Sequence, residues 1–520
     1  MRDAYVVDTV RAAERALMAQ LPPGTLMQRA AAGLASVCAR VLPAVYGARV
    51  TVLAGSGDNG GDALYAGARL ARRGAQVTAV AAGSRVHDGG SGALRAAGGR
   101  VVAADDPDVS AVIGAAGLVL DGFLGIGGHG GLRDTQARLA GLVEEARRGG
   151  QGPVVVAVDL PSGVDAGTGE VTGAAVRADV TVTFGTLKPG LLIDPGAAHA
   201  GVVELIDIGL RPHLPPPQVA APGAADIAAM LPGPGRDSDK YRRGVLGIVA
   251  GSELFTGAAA LAVGGAIRGG AGMVRLVSAE PAVAVVRQRW PEAVITVTGA
   301  GVRPGDEVAA AGRVQAWLAG PGMGTDDLAH RRLRAVLATD LPVLVDADGL
   351  TLIASDPELV TGRSAPTLLT PHAGELARLL EADAADVAAR RLDHASQAAA
   401  RFGATVLLKG STTVIAPAPG APPPGPVLVN PTGTSWLATA GTGDVLSGLA
   451  GSLLAQGLAA SAAAIAGAYL HGIAARRAAA GSGTALAGLV TPAVRAEAPI
   501  GAGDVIEALP GAIRSVREAG

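Results

Sequence analysis

Short runs of β-branched and aliphatic residues recur along this chain, and most are followed by a stretch whose apolar positions repeat with helical spacing. In the N-terminal part, Arg49 to Ala54 (RVTVLA), Gln76 to Ala81, Val119 to Asp121, Pro153 to Asp159 (PVVVAVD), Val180 to Phe184 and Val202 to Ile208 read as strands. Asp62 to Arg73 reads as the helix joining the first two. Repeated β-α-β units predict a mostly parallel sheet covered by helices on both faces.

The pattern then breaks. Arg211 to Gly223 (RPHLPPPQVAAPG) and Leu231 to Gly235 (LPGPG) carry proline without periodicity. Proline removes backbone donors and disfavours helix, so a linker is expected over 213–235. The domains expected on either side are 1–212 and 236–520. In the second, Val245 to Ala250, Val274 to Val277, Val343 to Asp346, Thr367 to Leu369 and Thr405 to Lys409 read as strands between amphipathic helices. His394 to Phe402 is one such helix, with Gly403 suited to a left-handed cap.

Composition changes this picture little. A chain of 520 residues, 49% of them apolar, exceeds one ordinary core. Aromatics make up only 2%, so the cores must be built from small and branched aliphatic side chains. That suits closely packed α/β layers, and a GC-rich genome would produce the same bias. A net charge of −2 without a long basic run gives no reason to expect nucleic acid or anionic membrane as a partner. Small-molecule substrates are expected instead; a homo-oligomer is also expected, though neither charge nor composition points to it. The single cysteine, Cys38, excludes an internal disulfide and fits a reducing cytoplasm. The first residues are too charged for a signal peptide. Val445 to Ala475 lacks Asp, Glu, Lys and Arg, yet it is mostly Ala, Gly and Ser. Two buried helices broken near Gly457 explain it better than a membrane span.

Candidate chemistry sits at strand ends. Gly55 to Asp62 (GSGDNGGD) lies between a strand and a helix. Its glycines allow positive φ and close approach of a ligand, and the following helix end suits phosphate. Asp121 ends LVLD and is followed by a glycine-rich stretch; Asp159 ends VVVAVD and is followed by LPSG with Ser162. In an open parallel sheet these ends line one crevice, so Asn59, Asp62, Asp121, Asp159 and Ser162 could converge there. Their oxygens suit a hard cation. For any single aspartate, helix capping is the plainer reading.

Taken together, AERA (Ala13 to Ala16), LMQRAAAG (Leu26 to Gly33), GSGDNGGDALYAGARLARRGAQV, DGFLGIG and DLPSGVD resemble the NAD(P)HX epimerase family over about residues 4–210. The resemblance implies a Rossmann-like three-layer domain. It implies interconversion of the R and S epimers of 6-hydroxylated NADH and NADPH, with K⁺ bound. Substrate contacts are implied at Asp58, Asn59, Gly60, Gly61 and Asp62, at Gly125, Ile126, Gly127, Gly128, His129, Gly130 and Gly131, and at Asp159. K⁺ is implied at Asn59, Asp121 and Ser162. Asp58 stands where the family commonly has asparagine, Ala63 where it has glycine, and Gln28 where it has an acid. Asp159 is the expected general acid or base, a role that contributes about 10²–10⁴-fold. Lys188 is read either as a cation beside it or as a solvated surface lysine.

A second set lies further on. Thr439 to Asp444 (TAGTGD) leads into a helix, where glycine N–H groups can hold phosphoryl oxygens and Asp444 can take a proton. With AGSELFTGAAALA, GGAGMVRL, AGPGMG, VDADGL, LTPHAGEL and LLKGSTTVI in this order, the set resembles the ADP- or ATP-dependent NAD(P)HX dehydratases over about residues 237–480. The resemblance implies a ribokinase-like α/β domain. It implies nucleotide contacts at Lys409, Gly410, Ser411, Thr412 and Thr413. Further nucleotide contacts are implied at Thr434, Ser435, Trp436, Leu437, Ala438, Thr439, Ala440, Gly441, Thr442 and Gly443. Substrate contacts are implied at Ala259, Gly322, Pro371, His372, Ala373, Gly374, Glu375, Leu376, Ala377 and Asp444. Asp239 replaces a usual histidine, Ala440 a glycine, and Trp436 and Leu437 a small residue and methionine.

The chemistry accounts for a kinase-like fold in a dehydratase. Hydroxide leaves poorly near neutral pH, whereas phosphate leaves well. Phosphorylating the C6 hydroxyl, with ADP as expected co-substrate and Mg²⁺ on its phosphates, therefore permits elimination to the dihydronicotinamide. Two alternatives stay open at this point. One is a ribokinase-like small-molecule kinase, of hydroxymethylpyrimidine or sugar type, fused to a dinucleotide-binding domain. The other is a non-catalytic dinucleotide-binding scaffold.

Overall fold

The computed structural model describes residues 1–150, 152–299, 303–421, 425–480 and 497–520. The chain divides into two compact units, Asp3–Val219 and Ala220–Gly520, the latter joined by Met1–Arg2.

In the first unit, Arg49–Ala54 is an interior strand of a seven-stranded sheet. It pairs in parallel with Gln76–Ala81 on one side and Leu118–Gly122 on the other. Arg100–Ala103, which the hydrophobic pattern did not reveal, extends the first side; Val154–Val158, Val180–Phe184 and Val202–Ile206 extend the second. All six pairings are parallel. Chain order reverses between Arg49–Ala54 and Leu118–Gly122, which opens a crevice at their carboxyl ends. Separate apolar clusters cover the two faces, one around Leu34, Val52 and Leu64, the other around Leu53, Ile113 and Val119. Cys38 belongs to the first cluster, and burial pushes its thiol up to about 12, so it is inert there.

The helix expected from Asp62 begins earlier, at Asp58, and runs to Ala71. GSGDNGGD is therefore a short turn followed by a first helical turn. None of its glycines has positive φ. They are needed for close packing instead. A Cβ on Gly55 would lie 2.0 Å from the Phe123 carbonyl oxygen, and one on Gly60 would lie 2.2 Å from that of Gly55.

In the second unit, seven strands are parallel: Val294–Thr298, Met273–Ala279, Val245–Val249, Ala316–Ala319, Val343–Val345, Thr367–Leu369 and Thr405–Leu408. Thr413–Ala416 and Val427–Asn430 then add antiparallel. Here the order reverses between Val245–Val249 and Ala316–Ala319. Within the segment expected to be linker, Val219–Ala221 is a strand and Ala224–Met230 a helix that buries Ile227. The Asp226 carboxylate caps that helix through the Gly223 N–H and pairs with the Met1 ammonium at 2.8 Å.

The uncharged segment forms two helices, Thr442–Ala455 and Ala460–Ala480, with Gly457 at φ +95° between them. Their small residues let backbones meet. A Cβ on Gly448 would lie 2.0 Å from the Ala262 carbonyl oxygen of helix Thr256–Arg268, and one on Gly265 would lie 2.3 Å from that of Val445. Among the described residues no helix is long and apolar enough to cross a membrane.

Candidate active sites

The crevice of the first unit is a cleft of about 1190 Å³. Helix Val7–Met18 forms one wall, turning Arg11, Glu14, Arg15 and Met18 to the cleft and burying Val10, Ala13 and Leu17 behind. Asp58, Asn59, Asp62, Gly125 to Gly128 and Asp159 line it as well. Asp159 follows strand Val154–Val158 at φ +65°, a left-handed conformation that costs a non-glycine residue about 1–2 kcal/mol. Its Oδ1 accepts from Lys188 Nζ at 2.5 Å, Thr183 Oγ1 at 3.1 Å and the Phe184 N–H at 3.3 Å. Lys188 is only 1% exposed, which overturns its reading as a surface lysine. An ammonium persists at such depth only when paired and hydrogen-bonded, and it also donates to Thr183 Oγ1 and the Phe184 carbonyl.

Asp62 and Asn59 face the same space. Burial pushes the Asp62 carboxyl well above the usual range, and Asp159, Asp58 and Glu14 add to the rise. Asp62 Oδ1 and Asn59 Nδ2 are buried without a hydrogen-bond partner among the described residues. Such atoms are rare in folded proteins and mark a place for a ligand. Asp121 lies beneath, fully buried, accepting from the Ser162 hydroxyl at 2.6 Å and the Ser162 N–H at 2.8 Å. Burial raises its carboxyl to about 6 against those hydrogen bonds. Ser162 Oγ also accepts from the Leu124 N–H at 3.0 Å, so the ends of two strands are tied together. His129 is exposed, does not line the cleft and pairs with Asp165 at 2.9 Å. Gly130 and Gly131 turn at φ +81° and +78°.

In the second unit the residues that follow strands Val343–Val345 and Thr405–Leu408 lie against the first turns of helix Thr442–Ala455. Asp346 is 1% exposed, receiving Lys409 Nζ at 2.7 Å and the Ser447 hydroxyl at 2.5 Å. Lys409 also faces Glu375 at 3.7 Å. Burial disfavours the Lys409 charge, but Asp346 and Glu375 outweigh it and hold the ammonium above its usual range. Asp444, in the first turn of the helix, is raised to about 7, first by burial and then by Asp346, with Lys409 opposing. Gly441 enters that helix at φ +84°, and a Cβ on Gly443 would lie 3.5 Å from Lys409 Nζ. Lys409, Asp444 and the TAGTG turn are therefore adjacent.

The other expected residues take varied places. His372 caps helix Ala373–Leu380: its Nδ1 accepts from the Gly374 and Glu375 N–H groups, and Glu375 returns a bond to the His372 N–H. The Pro371 carbonyl accepts from the Lys409 N–H at 2.8 Å. Leu376, Ala377 and Ala259 are buried, Leu376 and Ala259 completely, so their side chains serve packing. Gly322 turns at φ +60° beside Phe255 and Ala258. Ser411 is exposed, while Thr412 and Thr413 are buried. Ser435–Leu437 is a 3₁₀ turn in which the Thr434 hydroxyl accepts from the Trp436 N–H. The Trp436 indole donates to Glu497 at 2.7 Å. Ala438, Thr439 and Ala440 are exposed.

Sequence reasoning missed Arg391. It is 7% exposed and donates to the Leu408, Lys409 and Thr412 carbonyls, bracing the turn after strand Thr405–Leu408. Gly410 was its one visible sign, since a Cβ there would lie 2.3 Å from Arg391 Nη2.

Two α/β units, each with acids and glycine turns at the carboxyl ends of its strands, define a two-site enzyme acting on phosphate-bearing small molecules. Residues 23–190 match the family described as YjeF-related protein N-terminus, and residues 246–494 match NAD(P)H-hydrate dehydratase. The bifunctional NAD(P)H-hydrate repair enzyme Nnr of Mycobacterium tuberculosis (strain H37Rv) is 49% identical over 469 residues, covering 89% of this chain and 91% of that one. That of Mycobacterium leprae is 49% identical over 488 residues, covering 93% and 95%. The chain belongs to the bifunctional NAD(P)H-hydrate repair enzymes. It joins an epimerase and a dehydratase of hydrated nicotinamide dinucleotides, and both the small-molecule kinase and the scaffold are set aside. A solved ADP/ATP-dependent NAD(P)H-hydrate dehydratase from Bacillus subtilis, co-crystallised with ATP/Mg²⁺, is 27% identical, with a TM-score of 0.47, covering 56% of this chain and 97% of that one.

Proposed function

We propose that the cleft of the first unit carries out the epimerisation and that the Lys409–Asp444 cluster of the second carries out the ADP-dependent dehydration. The observation that carries the second assignment is the Asp444 carboxyl, raised to about 7 in the helix turn that follows the glycines. A base poised near neutral pH is what deprotonation of a hydroxyl requires. Helix N–H groups and Lys409 face the space where phosphoryl oxygens would gather. Asp444 takes the proton of the C6 hydroxyl as that oxygen attacks the terminal phosphorus of ADP, and the bond to the bridging oxygen breaks to release AMP. Loss of phosphate from C6 and of a proton from C5 to water then restores the C5–C6 double bond of the reduced ring.

In the first cleft the Asp159 carboxylate works on the same hydroxyl, with Lys188 fixing its Oδ1 so that Oδ2 remains for substrate. The glycines from Gly125 to Gly131 leave room for the dinucleotide. Potassium suits Asn59, Asp121 and Ser162. Asp121 is a fully buried carboxyl, its neighbours are hydroxyl and amide groups, and no ammonium or guanidinium pairs with it among the described residues. An oxygen-rich donor set around an uncompensated acid fits a hard cation, which supplies positive charge beneath the cleft when bound. For magnesium, no cluster of three His, Cys, Asp or Glu ligands is assembled among the described residues. The ion would ride on the nucleotide's phosphates, with Asp444 a carboxyl of this cluster that could reach it.

A mixture of R and S substrate with Mg²⁺ and either ADP or ATP, followed by absorbance of the reduced nicotinamide, tests both assignments. The full chain should convert both epimers. Asp159→Asn should consume the S epimer and leave R at its uncatalysed rate. Asp444→Asn should form no reduced nicotinamide while still equilibrating the epimers. Full activity of Asp444→Asn would overturn the assignment.

A further inference from the structure

We infer that Glu14 is a second catalytic residue of the epimerase cleft, passing a proton to the ring nitrogen while Asp159 takes one from the hydroxyl. The inference rests on the reading of that cleft as the epimerase site.

The carbon to be inverted carries both a hydroxyl and the ring nitrogen. Inversion by ring opening moves protons at both atoms. The hydroxyl proton goes to Asp159 Oδ2, the C6–O bond becomes a carbonyl, and the electron pair of the breaking C6–N1 bond goes to nitrogen. That nitrogen needs a proton. After rotation about C5–C6 the steps run backwards on the other face: nitrogen returns its proton and attacks the carbonyl, and Asp159 returns its own. Nothing is oxidised or consumed, but two proton-carrying groups are required.

Asp159 cannot fill both roles, because Oδ1 already takes three donors. Glu14 is the acid on the facing wall. It projects from helix Val7–Met18 into the cleft beside Arg11 and Arg15. It lies past the first turn, where a carboxylate would gain from the helix dipole. Among the described residues it makes no cap, hydrogen bond or ion pair, so no structural task accounts for a half-buried glutamate at this place. Its electrostatic surroundings shift it toward holding a proton. Burial raises its carboxyl, Lys188 and Arg11 oppose, and Asp159 and Asp58 add to the rise. Asp62 faces it as well. A carboxyl whose surroundings raise its proton affinity, set across the cleft from an ion-paired one, suits acid–base catalysis on two atoms.

Glu14→Gln in the full chain tests this, with kcat and KM measured for loss of the R epimer by chromatography. We expect kcat to fall about 10²-fold or more, with KM changed less than threefold. Glu14→Ala should be similarly slow and regain activity on adding acetate, which a packing role would not allow. Retention of kcat within threefold, or a rise in KM alone, overturns the inference. If Glu14→Gln fails to fold, acetate rescue of Glu14→Ala decides: rescue supports the role and its absence overturns it. Asp159→Asn, run alongside, separates the levels. If it is inactive while Glu14→Gln is active, only the role of Glu14 falls. If both are active, the cleft is not the epimerase site.

Discussion

Replacing Asp444 by Asn should make the second unit more stable while stopping dehydration. Burial and Asp346 move this carboxyl from an ordinary 3.8 to about 7. Above pH 7 the folded state therefore holds a charge it disfavours, a penalty on the order of 4 kcal/mol if none of it relaxes. Water and side-chain movement reduce this, and we expect the amide to recover about 1–2 kcal/mol. The sign follows from linkage. The folded state binds this proton more tightly than the unfolded chain, so the native protein loses stability as pH rises from about 4 to about 7. The variant has no such loss, so its advantage should be near zero at pH 4, grow through that window and level off above it. All three tryptophans, Trp290, Trp317 and Trp436, lie in the second unit, so fluorescence during urea unfolding reports that unit alone. Dehydration by the native protein should fall roughly tenfold per pH unit below 7. An unfolding midpoint at pH 8 equal to or below that of the native protein, or an advantage independent of pH, would refute the reasoning.

The two layers of information in the chain differ in how legible they are. Strands buried on both faces announce themselves as apolar runs. Arg49–Ala54 and Val180–Phe184 were readable to the residue because neither flank continues the run. Arg100–Ala103, Val294–Thr298 and Ala316–Ala319 were not, being short and either at a sheet edge or masked by neighbouring alanines. The acids at strand ends were visible because strand-to-helix turns recur in every β-α-β unit. Their partners were less so: Lys188 beside Asp159 was one of two readings, and Arg391 was missed. Lys188 reaches Asp159 from the next strand's turn, and Arg391 reaches the loop after Leu408 from a helix earlier in the chain. Such pairings depend on side-chain direction across elements, which hydrophobic period does not encode. Glycine was the partial exception. At Gly55, Gly60 and Gly410 it marks a close approach by another group, and the sequence shows the vacancy without the occupant.

Two of these vacancies can be filled by mutation. Gly60→Ala places a Cβ 2.2 Å from a main-chain oxygen that no rotamer can move. It should destabilise the first unit by about 3 kcal/mol or more and abolish epimerisation while dehydration persists, as separate assays of the two steps would read. Gly410→Ala is different, because the obstructing atom is the tip of Arg391. That guanidinium could swing aside in open solvent, but here it is 7% exposed and bonded to three carbonyls. Moving it forfeits charge-assisted bonds, each contributing about 1.5–3 kcal/mol, and releases the backbone that carries Lys409. The KM for nucleotide should rise about tenfold or more, with a smaller change in kcat. Arg391→Lys should raise it similarly, since an ammonium on a different stem does not reproduce the placement of the guanidinium Nη2 among those carbonyls. Combining the two should add little, because the second change removes bonds the first has already broken. If the two losses instead add in full, Gly410 and Arg391 act independently, and the close approach between them does not organise the nucleotide turn.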